Sequence, residues 1–97
     1  MKYLVTWNSK DVSKSVEKFK IHHEEKKLKA SKGGVPELAP GVKVLESLHV
    51  VGEASGYILI EVTNTSSLQS LLLKWGEVLD FNMELVMNDE EAANALI

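Results

Sequence analysis

The residues with the most chemical capacity lie on either side of a glycine-bounded turn, His49 before it and Glu61 after it. A carboxylate beside an imidazole fixes its tautomer and raises its basicity, as a general base requires. Equally, such a pair simply satisfies two polar groups with one hydrogen bond at an interface. His22-His23-Glu24-Glu25 places His22 and Glu25 at i and i+3, on one side of a helix. Two ligands make a poor metal site, and the His-Glu-x-x-His arrangement is missing, so the string reads as an exposed helix end with no metal. Trp7 and Trp75 are candidate pocket walls, with Trp7 ending a strand and Trp75 on an apolar helix stripe that core packing also explains. Ser47 and Tyr57 complete the candidate ligand-binding set with the two tryptophans.

Composition removes several classes of chemistry. The chain has no cysteine, which excludes thiol nucleophiles, disulfides and Cys-ligated clusters. It has no arginine, the usual residue for bidentate phosphate or guanine recognition, which counts against nucleic acid as a partner. Gly52-Glu53-Ala54-Ser55-Gly56 lacks the Gly-Lys-Ser/Thr of a phosphate loop and precedes a strand, so it is a hairpin turn. Asn64-Thr65-Ser66 matches a glycosylation acceptor, but helix capping accounts for it. No dinucleotide fingerprint is present, and no cofactor is expected. No apolar run approaches the roughly 20 residues of a membrane span. The opening Met1–Trp7 lacks the features of a signal peptide, so the expected location is the cytoplasm, with no membrane partner.

Charge is divided unevenly. Residues 1–45 carry ten lysines against five acids, and residues 46–97 carry one lysine against nine acids. A solvated basic helix face explains most of this. Self-association of basic and acidic halves is the sharper alternative.

The elements that must position these residues follow from periodicity. Residues 2–7 alternate as a strand apolar on both sides. From Asp11, Val12, Val16, Phe19 and His23 form a helical stripe, with Ile21 and Leu28 opposite. The helix therefore either breaks near His23 or has a second apolar contact. Val42–Val51 and Tyr57–Val62 form a hairpin, and Leu68, Leu71, Leu72, Trp75 and Leu79 follow helical spacing after the capping residues Asn64 and Thr65. Phe81–Met87 alternates again, and Asp89-Glu90-Glu91 opens a short acidic helix. The order βαββαβ is the ferredoxin-like arrangement, α+β, with two helices on one face of a four-stranded antiparallel sheet, here in one domain over residues 1–97.

Hairpin register sets which side chains meet. Even positions of both strands are mostly apolar, with Glu46 the exception, and should lie under the helices. A three-residue loop, Glu53 to Ser55, then sets His49 opposite Leu59 and Ser47 opposite Glu61, leaving His49 and Glu61 as diagonal neighbours roughly 7–8 Å apart. The helix-free face would present Leu45, Ser47, His49, Val51, Tyr57, Leu59 and Glu61, with Asn82 and Glu84. An apolar patch of that size calls for a cover, and a second copy packed sheet to sheet is the simplest.

The strand ending Val5-Thr6-Trp7, the segment Gly41–Leu45, His49 before the glycine turn and Glu61 after it form an ordered set. Leu72-Leu73-Lys74-Trp75 and Asp89-Glu90-Glu91-Ala92 extend it. In these the chain resembles the small bacterial proteins of domain-of-unknown-function family 3303 along nearly its whole length. The resemblance implies a ferredoxin-like domain of the dimeric α/β-barrel type and supplies no catalytic residues. The chain departs from that pattern in a longer lysine-rich insert before Gly41, in Leu48 for an aromatic and in Leu85 for a proline.

Two functions are therefore expected to compete. One is a small homodimeric ligand-binding or accessory protein, with a small molecule held between sheet and helices or within the barrel. The other is a cofactor-independent enzyme, similar in architecture to monooxygenases and isomerases on dimeric α/β barrels. There His49 would act as base, Glu61 would orient it, and Trp7 and Tyr57 would form walls. Residues 24–40 carry Lys26, Lys27, Lys29 and Lys32 with few apolar residues, so Ser31–Pro40 is expected to be the most mobile internal segment.

Overall fold

A computed structural model describes residues 1–32 and 37–96. The elements are β1 (Lys2–Ser9), α1 (Val12–Ser31), β2 (Val42–His49), β3 (Ser55–Val62), α2 (Thr65–Trp75), β4 (Leu79–Val86) and α3 (Asp89–Ala95). The four strands form an antiparallel sheet in the order β2-β3-β1-β4, the ferredoxin-like order expected from the sequence.

β1 is central, pairing with β3 on one side and β4 on the other. Its odd residues Val5 and Trp7 are buried with Ile58, Ile60 and Val62 of β3, beneath Leu71 and Trp75 of α2 and Phe19 of α1. This is the core. α2 starts where Asn64 accepts a hydrogen bond from the Ser67 amide, which satisfies one of the unpaired N–H groups of the first turn. It ends at Trp75, one turn before Leu79, because Gly76 is a poor helix former and Val78 N–H folds back onto the Trp75 carbonyl. Leu79 still reaches the core, as the first residue of β4.

α1 runs unbroken, with no kink near His23 and no glycine or proline inside it. The Asp11 side chain caps it by accepting from the Lys14 amide at 3.0 Å. The inward stripe is Ser15, Lys18, Phe19 and His22, rotated from the Val12, Val16, Phe19 and His23 stripe that hydropathy suggested. Val12 and Val16 are exposed. Polar anchors set the rotation. The Ser15 hydroxyl sits 2.6 Å from that of Ser9 and also donates to the Asp11 carbonyl. Lys18 Nζ donates to the Lys74 carbonyl, and Lys10 Nζ donates to the Gly76 carbonyl at 2.9 Å. Two lysines thus hold α1 and its approach to the negative end of α2.

β2 contains a bulge. Val42 pairs with Val62 and Val44 with Ile60, but Glu46 pairs with Leu59, Ser47 with Ile58 and His49 with Gly56. One extra residue at Leu45 therefore inverts the facing of everything after it. The expected His49–Leu59 and Ser47–Glu61 pairs do not form. The loop is five residues, Val50 to Ala54, with Gly52 at φ 84 supplying the left-handed turn residue.

Of the insert, residues 33–36 lie outside the described residues, so the mobility expected over Ser31–Pro40 is not decided there. Leu38 and Ala39 pack into or against the core, while Glu37 and Pro40 are exposed. Ala39 is buried and bridges to Val42, and the Trp75 indole N–H donates to the Leu38 carbonyl at 3.2 Å.

Candidate functional site

The two sheet faces divide the residues singled out from the sequence. Across the helix-covered face, one row reads His49, Gly56, Trp7, Phe81, and the next reads Ser47, Ile58, Val5, Met83. Across the open face the rows read Lys43, Glu61, Lys2, Val86, then Glu46, Leu59, Leu4, Glu84, then Leu48, Tyr57, Thr6, Asn82. Trp7, Ser47 and His49 therefore share a face with Trp75 above them. Tyr57 and Glu61 lie on the other side. The His49–Glu61 couple inferred from an unbulged hairpin is not assembled, because the bulge turns the His49 side chain away from Glu61.

Gly56 makes the first row work. A Cβ there would come within 2.6 Å of the Trp7 ring and press on the Leu48 carbonyl. Without one, the Trp7 indole lies against the β3 backbone and meets His49 edge-on, with ring centroids 5.4 Å apart. Phe19 descends from α1 to join them, 5.3 Å from Trp7 and 6.1 Å from His49. Trp75 stacks at a tilt on Phe19, at 5.3 Å. His22, one turn after Phe19, sets its edge on Trp75 at 5.2 Å. The result is a continuous aromatic wall, His49–Trp7–Phe19–Trp75–His22, across the gap between α1 and the sheet.

Two spaces adjoin this wall. An inner crevice of about 80 Å³ reaches among Trp7, Phe19, Trp75, Ser47, His22 and Lys26, with Ile58, Leu71 and Phe81 at its floor. An outer groove of about 450 Å³ runs along α1 past Val16, Phe19, His22, His23 and Lys26 to His49. The crevice alone holds two or three waters' worth of space. The groove has the volume of a small-ligand site. Trp75 and Trp7 are both buried, at 1% and 5% exposed. His49 and Ser47 remain exposed at the mouth.

The sequence places His22 on an exposed helix end. It is half-buried, and its Nδ1 is sealed from solvent without a hydrogen-bond partner. Burial pushes its pKa below the ordinary 6.5, and the neighbouring Lys74, Lys26 and His23 push the same way against a smaller pull from Glu25. The imidazole is therefore neutral at pH 7, with one ring nitrogen unsatisfied. The signal available in the sequence was its spacing, three residues after Phe19 and seven after Ser15. Among the described residues no group of three or more acidic or histidine side chains is placed to hold a metal. Nor is any helix among them long and apolar enough to cross a membrane.

A family model described as Domain of unknown function (DUF3303) matches residues 1–97. No curated protein and no solved structure matches the chain.

Proposed function

The chain belongs to the DUF3303 family, and we propose that it is a small homodimeric ligand-binding or accessory protein that holds a small molecule between α1 and the sheet. The observation that carries this is the convergence of Trp7, Trp75, Phe19, His22, His49 and Ser47 on one partly open hollow. Concave, mostly aromatic sites with a few polar groups are where small ligands bind. An aromatic wall also gives contact area at low entropic cost, since each ring has only two side-chain torsions.

The dimer is supported by the open face. Leu4, Leu48 and Tyr57 are exposed there beside half-buried Leu59, as one patch. Lys2 and Lys43 occupy one row and Glu46 and Glu84 flank the next, so a rotated second copy can set lysine against glutamate. Four strands of eight residues span about 19 Å by 26 Å, or about 500 Å² per copy as a flat area. Two copies approach the ~1,000 Å² that specific interfaces need. The fit between those numbers points to a dimer of modest affinity.

The cofactor-independent enzyme reading keeps one support, His49 exposed in a concavity beside Trp7. It loses Glu61 as the group orienting the base.

Native mass spectrometry on protein purified from its source tests the ligand, with light scattering on the same sample for mass. A co-purifying small molecule that protects Trp7 and Trp75 from quenching is the expected result. Quenching unchanged by every bound molecule would overturn the site, and a single-chain mass at tens of micromolar would overturn the dimer.

A further inference from the structure

We propose that the cleft takes a planar aromatic carboxylate, its ring against the Trp7–Phe19–Trp75 wall and its carboxylate at the His22–Lys26 end. This inference rests on the ligand-binding reading and deepens it.

Three observations carry it. First, the inner crevice has apolar and aromatic walls, one charged residue, Lys26, and no acid among the described residues that line it. A ligand there meets flat rings and a cation. Second, His22 and Lys26 line the crevice, the outer groove and a third hollow beside Lys74. They therefore stand where the three spaces meet, one helical turn apart on the same side of α1. Third, Glu24 lines the outer groove and Glu25 and Glu37 the third hollow, but the side toward the crevice carries positive charge alone. Lys26 and Lys74 both disfavour protonation of His22, and Lys18 lies 5.5 Å over the Trp75 ring. Among the described residues the only lysine with a carboxylate within 4 Å is Lys10, which meets Asp80 elsewhere. Glu25 and Glu37 line the third hollow but not the crevice.

An anion answers each of these features. A carboxylate relieves the repulsion among Lys26, Lys74 and His22, and it can accept from a protonated His22. A flat apolar body fills space between rings that an aliphatic chain would fill less well. Binding then raises the proton affinity of His22, so complex formation takes up a proton. The charged and titratable groups that share these hollows with His22 are Lys20, His23, Glu24, Glu25, Lys26 and Lys29 from α1, Lys74 from α2, His49 from β2 and Glu37 from the segment before β2.

The test is a heteronuclear NMR titration of the full chain with benzoate, benzamide and acetate at pH 6 and pH 8. Benzoate is expected to shift the indole N–H signals of Trp7 and Trp75 and the His22 ring nitrogens. Benzamide and acetate should each bind at least roughly tenfold more weakly, the scale of one lost charge-assisted hydrogen bond. Benzoate should bind more tightly at pH 6. K26Q alters an exposed position and should lose about tenfold in benzoate affinity with benzamide unaffected. H22Q should abolish the pH dependence. Equal binding of benzamide and benzoate would overturn the carboxylate assignment and leave the cleft as a ligand site. Equal binding of acetate and benzoate would overturn the aromatic part. No shift at Trp7 or Trp75 with any of the three would overturn both readings.

Discussion

The two faces of the sheet use the same strands for opposite ends. On the helix side a row of rings, His49, Trp7 and Phe81, is interrupted by a glycine so that Trp7 can lie flat. On the open side the corresponding row, Leu48, Tyr57, Thr6 and Asn82, has a side chain at every position and no cover. The difference comes down to one residue in β2. With Leu45 as an extra residue, His49 and Ser47 face the helices and Leu48 faces outward. Were Leu45 paired within a regular ladder instead, the histidine would join Tyr57 and Glu61 on the open face. A single bulge therefore decides whether the titratable groups sit in a cleft or on a flat interface.

Deleting Leu45 is the most direct test of that contrast, because it removes the extra residue and leaves every later pair in place. Glu46 would follow Val44 directly and still oppose Leu59, so Ser47 and His49 should keep facing the helices, seen as retained nuclear Overhauser effects between the Trp7 and His49 rings. A fall in urea stability of up to about 3 kcal/mol should accompany it, because the two halves of β2 must close up by one residue. Loss of the ring contact would mean that the local twist of the bulge, rather than the pairing register, orients His49.

Gly56→Val attacks the same row from β3. Its branched side chain must displace Trp7 or the Leu48 carbonyl, and overpacking of this kind costs about 1–3 kcal/mol. Glu61→Gln, five residues along the same strand on the exposed face, should change stability by about 0.5 kcal/mol or less. Thermal or urea unfolding of both variants measures the gap between the faces. Equal effects would erase the distinction.

Much of this was legible in the sequence, and what was not has a local cause. Strand and helix order follow from periodicity, since β1, β3, α2 and β4 carry long, consistent apolar patterns. Glu46 broke the alternation of β2, and that irregularity was the trace of the bulge. Alternation alone does not say whether a stray charge is tolerated in place or moved by an inserted residue, so the register after Leu45 could not be read. α1 departs from its hydropathy stripe for a different reason. Its rotation is set by Ser9–Ser15 and by lysines reaching α2 carbonyls, and a hydropathy pattern gives those polar anchors no weight. The same omission hid His22. Trp7, Ser47, His49 and Trp75 were nominated by residue type, and the fold brings those four together while leaving Tyr57 and Glu61 across the sheet.

His22 gives a pH dependence belonging to the helix face. Its pKa is lowered on folding, so the unfolded chain binds the proton more readily. The stability this contributes is complete above the unfolded value near 6.5 and is lost as pH falls through the folded value. Acidification from pH 7 should therefore lower the melting temperature of the native chain by more than that of H22Q. Identical pH profiles for the two would show that His22 is solvated, and would remove the neutral, unsatisfied imidazole from the cleft.

The smallest effect is expected farthest from either face. Beyond His22, α1 continues with every residue exposed through Lys32 and carries Lys26, Lys27, Lys29 and Lys32. Exposed charges of this kind are worth at most about 1 kcal/mol each, and several that repel one another are worth less. Gln has nearly the helix propensity of Lys, so exchanging all four preserves the backbone preference and removes only charge. The quadruple Lys→Gln chain should unfold within about 1 kcal/mol of the parent in urea. Its benzoate binding should nevertheless fall as far as that of K26Q alone, since only Lys26 among the four lines the inner crevice. A large loss of stability would mean that the lysines are tied into a packed element. Binding much weaker than that of K26Q would mean that the whole basic helix, rather than the His22–Lys26 pair, attracts the anion.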